Sequence, residues 1–583
     1  MKYGIDIPST VEEAHKMDEK NGNTLWGDAI NKELSNVMVA FQLVEDGDTI
    51  PVGSKLIPYH IIFDVKIDLT RKARLVAGGH RNRSVKSHAS YSSVASRDSI
   101  RLCFMLAALN ELDILMGDNG NAYLNAPNKE RVHVICGPEL FGPENQGKKA
   151  VIVRALYGLK TAGNSWRQHF SAVIRDQLGY ESTVADPDVY RKVEKKASGE
   201  LYYSYLVIYV DDILCIRENP KVVMDQLASF FRLKDTPTSP TMYLGTDVRP
   251  WTYQRSDGSF SKCWALGANT YLKEAIKVVE AQKIKFGVSH SSSRRNGRLT
   301  PFNNTDYRPE LDMTNFCDPQ TIQLYQNLIG IARWVCELGR IDILHEVSLL
   351  SQYMAQPRKG HLTQLLNVFF YLKHHERSWM VLDPSSFEVE WTPKGEESSP
   401  RERAQHMKEI YTDAEDTKPY NMPLPLGNPV DISVFVDADH AGNKVTRRSH
   451  TGIIIYCNLS PVLWYSKRQN TVETSTFGSE FVALRIATEM VEGLLYKLRM
   501  FGVPINGEAR VFCDNESVVK SSTFPESTLK KKHVSIAFHR IREAVAARKI
   551  LIYYETSATN LADFLTKVLP NSKRLPLVQA ILS

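Results

Sequence analysis

Tyr209, Val210, Asp211 and Asp212 stand between two apolar runs, Tyr203 to Tyr209 and Ile213 to Ile216. That pattern sets an adjacent acid pair at the turn of a buried β-hairpin. Carboxylates whose flanks are held by strands cannot spread apart, so they need a shared proton or a cation. A divalent metal is the natural partner and a polymerase the natural machine. Two ions roughly 3.5–4 Å apart would activate a 3′-hydroxyl and hold a triphosphate, on carboxylates from separate strands. Asp118 is the candidate third acid, at the end of a strand over 114–116 within LDILMGDNGNAYLNAP. Taken alone, Asp118 also reads as a turn residue, since GDNGN is turn chemistry, and Asp211-Asp212 as a solvated hairpin turn.

A second acidic set lies near the C-terminal end. DISVFVDADHAG gives an alternating strand ending on Asp437, and ARVFCDNES a second strand ending on Asp514. Between them Phe481, Leu484, Ala487, Val491, Leu494 and Leu498 form one helical stripe, with Glu480 beside it on the first turns. Asp563, in TNLADFLTK, opens a short terminal helix, where an acid also serves simply as a cap or dipole partner. Lys530, Lys531, Lys532 and His533 form a basic cluster upstream of it, which reads either as a phosphate contact or as a solvated face.

These residues must be positioned by several domains, because 583 residues exceed what one core can organise. Hydrophobic residues at 43% and charged residues at 24% exclude disorder, and no apolar run approaches the roughly 18 residues of a membrane span. The N-terminal residues lack an apolar signal core, so secretion is not expected. Eight cysteines without a CxxC pair read as a reducing compartment with neither disulfide framework nor zinc knuckle. A net charge of +6 permits nucleic acid without demanding it. The fold class expected is α/β and α+β, multidomain. Leu25 to Val37 is amphipathic, β-branched and helical runs alternate from Lys55 to about Val248, and 285–316 is a polar loop. Residues 320–382 read as helical, with Leu324, Leu328, Ile331, Val335 and Leu338 on one face. A charged, Pro-rich linker follows, and a last domain begins near Val430.

DNGNAYLNAP, then LYGLKTAGNSW, then YVDD, in that order, resembles the reverse transcriptase of copia-type (Pseudoviridae-like) LTR retrotransposon polyproteins. LTRKARLVAGGH resembles its fingers, and FRLKDTPTSPTMYLGTDV the segment after the catalytic hairpin. The order Asp437, Glu480, Asp514, Asp563 resembles a ribonuclease H site, and RRSHTGIIIYCNLSPVLWYSKRQNTVETSTFGSEF is also copia-like. The likeness covers nearly the whole chain. It implies a right-hand polymerase (fingers, palm and thumb) followed by a ribonuclease H-like mixed-sheet domain. The division would be an N-terminal extension over 1–54, fingers and palm over 55–284, linker and helical thumb or connection over 285–392, linker over 393–429, and ribonuclease H over 430–583.

The same resemblance implies that Asp118, Asp211 and Asp212, and separately Asp437, Glu480, Asp514 and Asp563, are catalytic and hold Mg²⁺ or Mn²⁺, two ions per site. Lys72 and Arg74 would reach the incoming triphosphate, although a basic strand edge is the rival reading. Tyr123 would exclude a 2′-hydroxyl, or simply fill the core. Gly158 and Lys160 would lie near the nascent base pair, or Gly158 would form a plain turn. His533 or His539 would assist product release, or cap a helix. His361, Lys373 and His374 would lie along the hybrid. Asn119, directly after Asp118, departs from the apolar residue many relatives carry. Implied partners are an RNA template, a DNA or tRNA primer, RNA/DNA hybrid and dNTPs, with element-encoded integrase and capsid. The setting would be cytoplasmic, in virus-like particles for an intact element, or nuclear. No nucleocapsid knuckle or integrase zinc module is visible, which is expected of a processed product, a fragment or a captured copy. The alternative function is an inactive remnant that binds RNA/DNA hybrid.

Overall fold

The computed structural model describes residues 5–45, 47–66, 69–82, 90–254, 258–285, 299–302, 305–387, 398–529 and 534–583. The chain forms two compact units. One holds 1–95, 114–192 and 204–239, and the other holds 96–113, 193–203 and 240–583. No helix among the described residues is long and apolar enough to cross a membrane.

A five-stranded sheet, most of whose residues belong to the first unit, runs Asp113–Asp118, Asp212–Arg217, Leu201–Tyr209, Val189–Lys195, Glu181–Ser182. The central strands are apolar because both faces are covered, and Leu206, Val207, Leu214 and Cys215 have no exposure at all. The helix Ala162–Asp176 buries Trp166, Phe170 and Ile174 in this core. The helix Leu25–Val37 appears over the residues its periodicity marks, and it packs on the strand Arg71–Ala77. Glu33 Oε1 accepts from the Leu75 N–H at 2.9 Å, which fixes that strand and its partner Tyr59–Val65.

In the second unit the helices Asn269–Lys285, Pro319–Glu337, Leu344–Ser351 and Lys359–His374 share one core, with Leu324, Leu328, Val335 and Leu338 buried as their spacing implies. The expected helical block over 320–382 ends early. Met380–Leu382 is a strand paired with Phe260–Gly267, Trp264 opposite Leu382. The stretch expected as linker contains a helix, Pro400–Ile410. Ser399 caps it and Glu402 returns the bond, and Pro400 sits at the first turn, where its missing N–H costs nothing.

A second five-stranded sheet closes the chain, in the order Ser460–Arg468, His450–Cys457, Ile432–Asp439, Ala509–Cys513, Ile550–Tyr554. The first three strands are antiparallel and the last two join in parallel, giving the mixed sheet expected. The helix Thr476–Phe501 lies on it, started by Ser475 accepting from Gly478 and stopped by Gly502 in the left-handed conformation. All eight cysteines are free and buried.

Two candidate metal-binding carboxylate clusters

The hairpin turn of the first unit has two residues, Val210 and Asp211, closed by the Tyr209–Asp212 pair. Val210 has φ +60°, a conformation that β-branched residues avoid. It is held there because Trp166 Nε1 donates to the Val210 carbonyl at 2.7 Å. Asp118 ends the neighbouring strand, and the Asn119 N–H donates to the Asp211 carbonyl at 2.8 Å. Burial lifts the Asp211 carboxyl above the usual range and Asp118 adds to it, while Arg74 and Lys72 oppose the rise. Burial, then Asp211 and Asp118, push Asp212 up to about 7. Lys234 salt-bridges Asp118 at 3.2 Å, a partner the sequence did not announce.

Lys72, Arg74 and Tyr123 lie within electrostatic reach of this turn. Lys72 and Arg74 sit on the strand Arg71–Ala77, and both act electrostatically on Asp211. The Arg74 guanidinium lies 4.7 Å over the Tyr157 ring, and Tyr123 meets Tyr157 at 4.9 Å between centroids. Tyr123 is half-buried against the core, and burial followed by Asp211 raises its phenol. Gly158 has φ +89°, and a Cβ there would fall 2.1 Å from the Ala77 carbonyl oxygen. Its bare backbone is what lets the strand carrying Lys72 and Arg74 dock, and Ala77 N–H donates to Tyr157 at 2.7 Å. Lys160 donates to the Asn82 carbonyl at 2.8 Å.

The second cluster is deeper. Asp437 is 1% exposed, Glu480 3% and Asp563 8%. Carboxylate oxygens of Asp437, Asp514 and Asp563 lie within 4.8 Å of one another, and Glu480, Cys513 and Asp514 form a second such set. Among the described residues these are the sets of three so gathered; Asp118, Asp211 and Asp212 are not among them. Asp437 lies inside the strand Ile432–Asp439 rather than at its end, and Asp514 directly follows its strand. Asp563 opens a single 3-10 turn. That turn is docked by Asn560 donating to the Val436 carbonyl at 3.0 Å, and by Gly452, where a Cβ would meet Leu565 Cβ at 2.8 Å. Burial pushes Asp437 up to about 6, with Lys567 opposing and Asp514 and Asp563 adding. Burial, then Asp437 and Asp514, hold Glu480 well above the carboxylate range, and its Oε2 has no partner. Lys567 bridges Asp563 at 2.5 Å and Asp437 at 3.2 Å, and Thr566 donates to Asp437. A Lys four residues after Asp563 was the available signal for that bridge.

Buried carboxylates crowded together, one with an orphan oxygen, fit hard cations such as Mg²⁺, and the Cys513 thiol beside Glu480 and Asp514 is kept protonated by burial and so leaves the carboxylate oxygens as the ligands. Lys530, Lys531, Lys532 and His533 lie outside the described residues. His539 Nδ1 is bonded to the Tyr411 hydroxyl at 2.7 Å. His361, expected along a hybrid, is buried instead, because it caps its helix through Arg358 N–H and bonds the Pro309 carbonyl at 2.8 Å. Lys373 pairs with Glu280 at 3.5 Å, and His374 bonds the Phe370 carbonyl.

Residues 40–258 match the family model described as reverse transcriptase (RNA-dependent DNA polymerase). The chain is 24% identical over 591 residues to the retrovirus-related Pol polyprotein from transposon TNT 1-94 of Nicotiana tabacum, covering 97% of this chain and 38% of that protein. It is 23% identical over 504 residues to the corresponding polyprotein from transposon RE1 of Arabidopsis thaliana, with 85% and 29% covered. The copia-type resemblance is thereby borne out, and the chain spans under two-fifths of the length of these relatives. A foamy viral protease-reverse transcriptase in complex with RNA/DNA hybrid aligns with TM-score 0.30 and 10% identity, covering 96% of this chain and 77% of that one.

Proposed function

We propose that the chain copies RNA into DNA at Asp118, Asp211 and Asp212, and cleaves the RNA of the resulting hybrid at Asp437, Glu480, Asp514 and Asp563. The carrying observation is that both clusters set desolvated carboxylates from different elements against one another, each around a lysine ammonium. The family match over 40–258 supports the polymerase half. In this reading 55–284 forms fingers and palm, 285–392 thumb or connection, and 430–583 the nuclease. The two acid sets would hold Mg²⁺ or Mn²⁺, two ions in each. Such ions, when bound, activate an attacking oxygen and neutralise charge at phosphorus.

The protein's own residues do the positioning. The Val210 turn, pinned by Trp166, presents Asp211 and Asp212 from one rigid hairpin. Lys72 and Arg74 offer cations to a triphosphate, Arg as a planar fork and Lys as a point charge. Tyr123, propped on Tyr157, is the wall a 2′-hydroxyl would meet. Gly158 holds the Lys72–Arg74 strand close, while Lys160 fixes the Asn82 carbonyl. Template RNA, a DNA or tRNA primer, dNTPs and hybrid are the proposed partners, with element-encoded integrase and capsid for an intact element.

The test is primer extension on RNA with Mg²⁺, beside hybrid cleavage, for the wild type, Asp211→Asn and Glu480→Gln. Asp211→Asn should abolish extension and spare cleavage, and Glu480→Gln the reverse. Loss of both activities from either change refutes two independent sites. No activity from the wild type in Mg²⁺ or Mn²⁺ would instead favour a remnant that binds hybrid without copying it.

A further inference from the structure

A solvent-open cavity of about 100 Å³ lies beside the second acid cluster. Its walls come from segments far apart in the chain. Arg308 and the helix residue His345 line it together with Asp439, Arg468 and Lys567. The size is about three waters' share of liquid volume, enough for a phosphate group and a sugar edge. Glu310 and Asp439 also line it, and the Glu310 carboxylate already accepts from the Lys444 N–H at 2.7 Å. Arg308 and Arg468 thus face the cavity together with Lys567, which also bridges Asp437 and Asp563, against the two acids Glu310 and Asp439.

The second observation is independent of charge. His345 is 3% exposed, one ring nitrogen bonds the Leu565 backbone, and the other, Nδ1, is buried with no partner. His450 packs edge-on against it at 4.6 Å and bonds Ser466 Oγ at 2.9 Å, while Ser466 donates to the same Leu565 carbonyl at 2.7 Å. Burial, then His450, holds His345 far below the usual imidazole range, and burial followed by Arg468 holds His450 near 3. Both rings are therefore neutral, and with its Nε2–H spent on Leu565, His345 offers a bare lone pair at Nδ1. A simple anion would satisfy the cations and leave that acceptor orphaned. A ligand carrying both a phosphate and a hydroxyl donor satisfies both.

We propose that this cavity takes a nucleotide of the RNA strand, its phosphodiester on Arg308, Arg468 and Lys567 and its 2′-hydroxyl donating to His345 Nδ1. The inference rests on the hybrid-cleavage reading above and adds to it a place where RNA is told from DNA. Arg308 and His345 belong to segments outside the expected nuclease domain, so the pocket would make that domain's grip depend on the helical block before it.

The test uses full-length protein in EDTA and fluorescence anisotropy over a salt series. The probes are a short labelled RNA/DNA hybrid, the same hybrid with a 2′-O-methyl RNA strand, and the matching DNA duplex. The wild type should bind the hybrid several-fold more tightly than the other two. Arg468→Gln should weaken all three about tenfold and flatten the salt slope by about 0.9, as one lost phosphate contact does. His345→Leu should leave the slope alone and erase the preference for unmodified RNA. His345→Gln, which keeps a donor for Leu565 and an acceptor for the cavity, should retain it. Circular dichroism melts show which variants are folded, and the half-buried Arg468 provides a variant that does not disturb the core. Variants that track a discriminating, hybrid-cleaving wild type in affinity and slope overturn the pocket and leave the nuclease reading standing. A wild type that neither discriminates nor cleaves overturns both.

Discussion

Asn119 breaks a rule of burial next to a proposed catalytic acid. Its side chain is 1% exposed, and neither Nδ2 nor Oδ1 has a partner. Each buried polar atom left unpaired costs about 1–3 kcal/mol. Val has nearly the same volume, suits the strand end, and keeps the backbone N–H that donates to Asp211. Asn119→Val should therefore stabilise the first unit by about 2 kcal/mol, the low end of the range for two atoms, since ordered water offsets part of the penalty. For a unit of this size that is a rise of about 4–8 °C in Tm. The assay is pulse proteolysis across a urea series, reading peptides of the first unit by mass spectrometry, so that the second unit does not mask the change. Primer extension should persist, because no carboxylate moves. An unchanged or lowered midpoint would refute the reasoning, and would mean that the amide is satisfied by a bound water or by a group that arrives with substrate.

Three further outcomes follow from the same geometry. Gly158→Ala should abolish extension and lower the stability of the first unit, since a Cβ 2.1 Å from the Ala77 oxygen at φ +89° cannot be accommodated without shifting the Lys72–Arg74 strand; an active, stable Ala variant in proteolysis and extension assays would contradict that docking. Asp437 has a folded pKa of about 6, above the ordinary 3.8, so the metal-free second unit should keep this group's contribution below about pH 4 and lose it as pH rises through about 6. Mg²⁺, which binds the ionised acids, should raise the melting temperature more above that pH than below it, and a shift independent of pH in differential scanning fluorimetry would exclude Asp437 as a ligand. Tyr123→Ala should let ribonucleotides into the product, and unchanged sugar selectivity in single-nucleotide incorporation would remove Tyr123 from that role.

What was legible in the sequence was local. The hairpin around Asp211, the helix Leu25–Val37 and the stripe behind Glu480 are written in spacing of period two or 3.6, and the fold keeps them; the strand expected to alternate and end on Asp437 is buried on both faces and runs on to Asp439. The helix Pro400–Ile410 was also written, in the Ser-Pro-Arg-Glu that opens it, but Pro and charge read as linker until the capping bonds are seen. The rest depends on contacts between residues far apart in the chain, which no periodicity records. Gly158 is indispensable only because Ala77 passes over it, and His345 matters only because Leu565 uses its other nitrogen.

The two lysines carry that point furthest. Lys234 reaches Asp118 across 116 positions, and Lys567 reaches Asp437 across 130 although it stands only four residues after Asp563, so spacing announces one of these three pairings and not the other two. Yet both clusters meet the same electrostatic requirement. Carboxylates forced together by strands and stripped of water repel, and a flexible ammonium is the least costly permanent counter-charge that can still move aside. A rigid guanidinium with two parallel bonds would compete with any incoming cation more stubbornly. Two different folds within one chain thus set acids on strands and turns against a lysine ammonium, which is what the proposed metal sites would need in order to be stable when empty and to yield when filled.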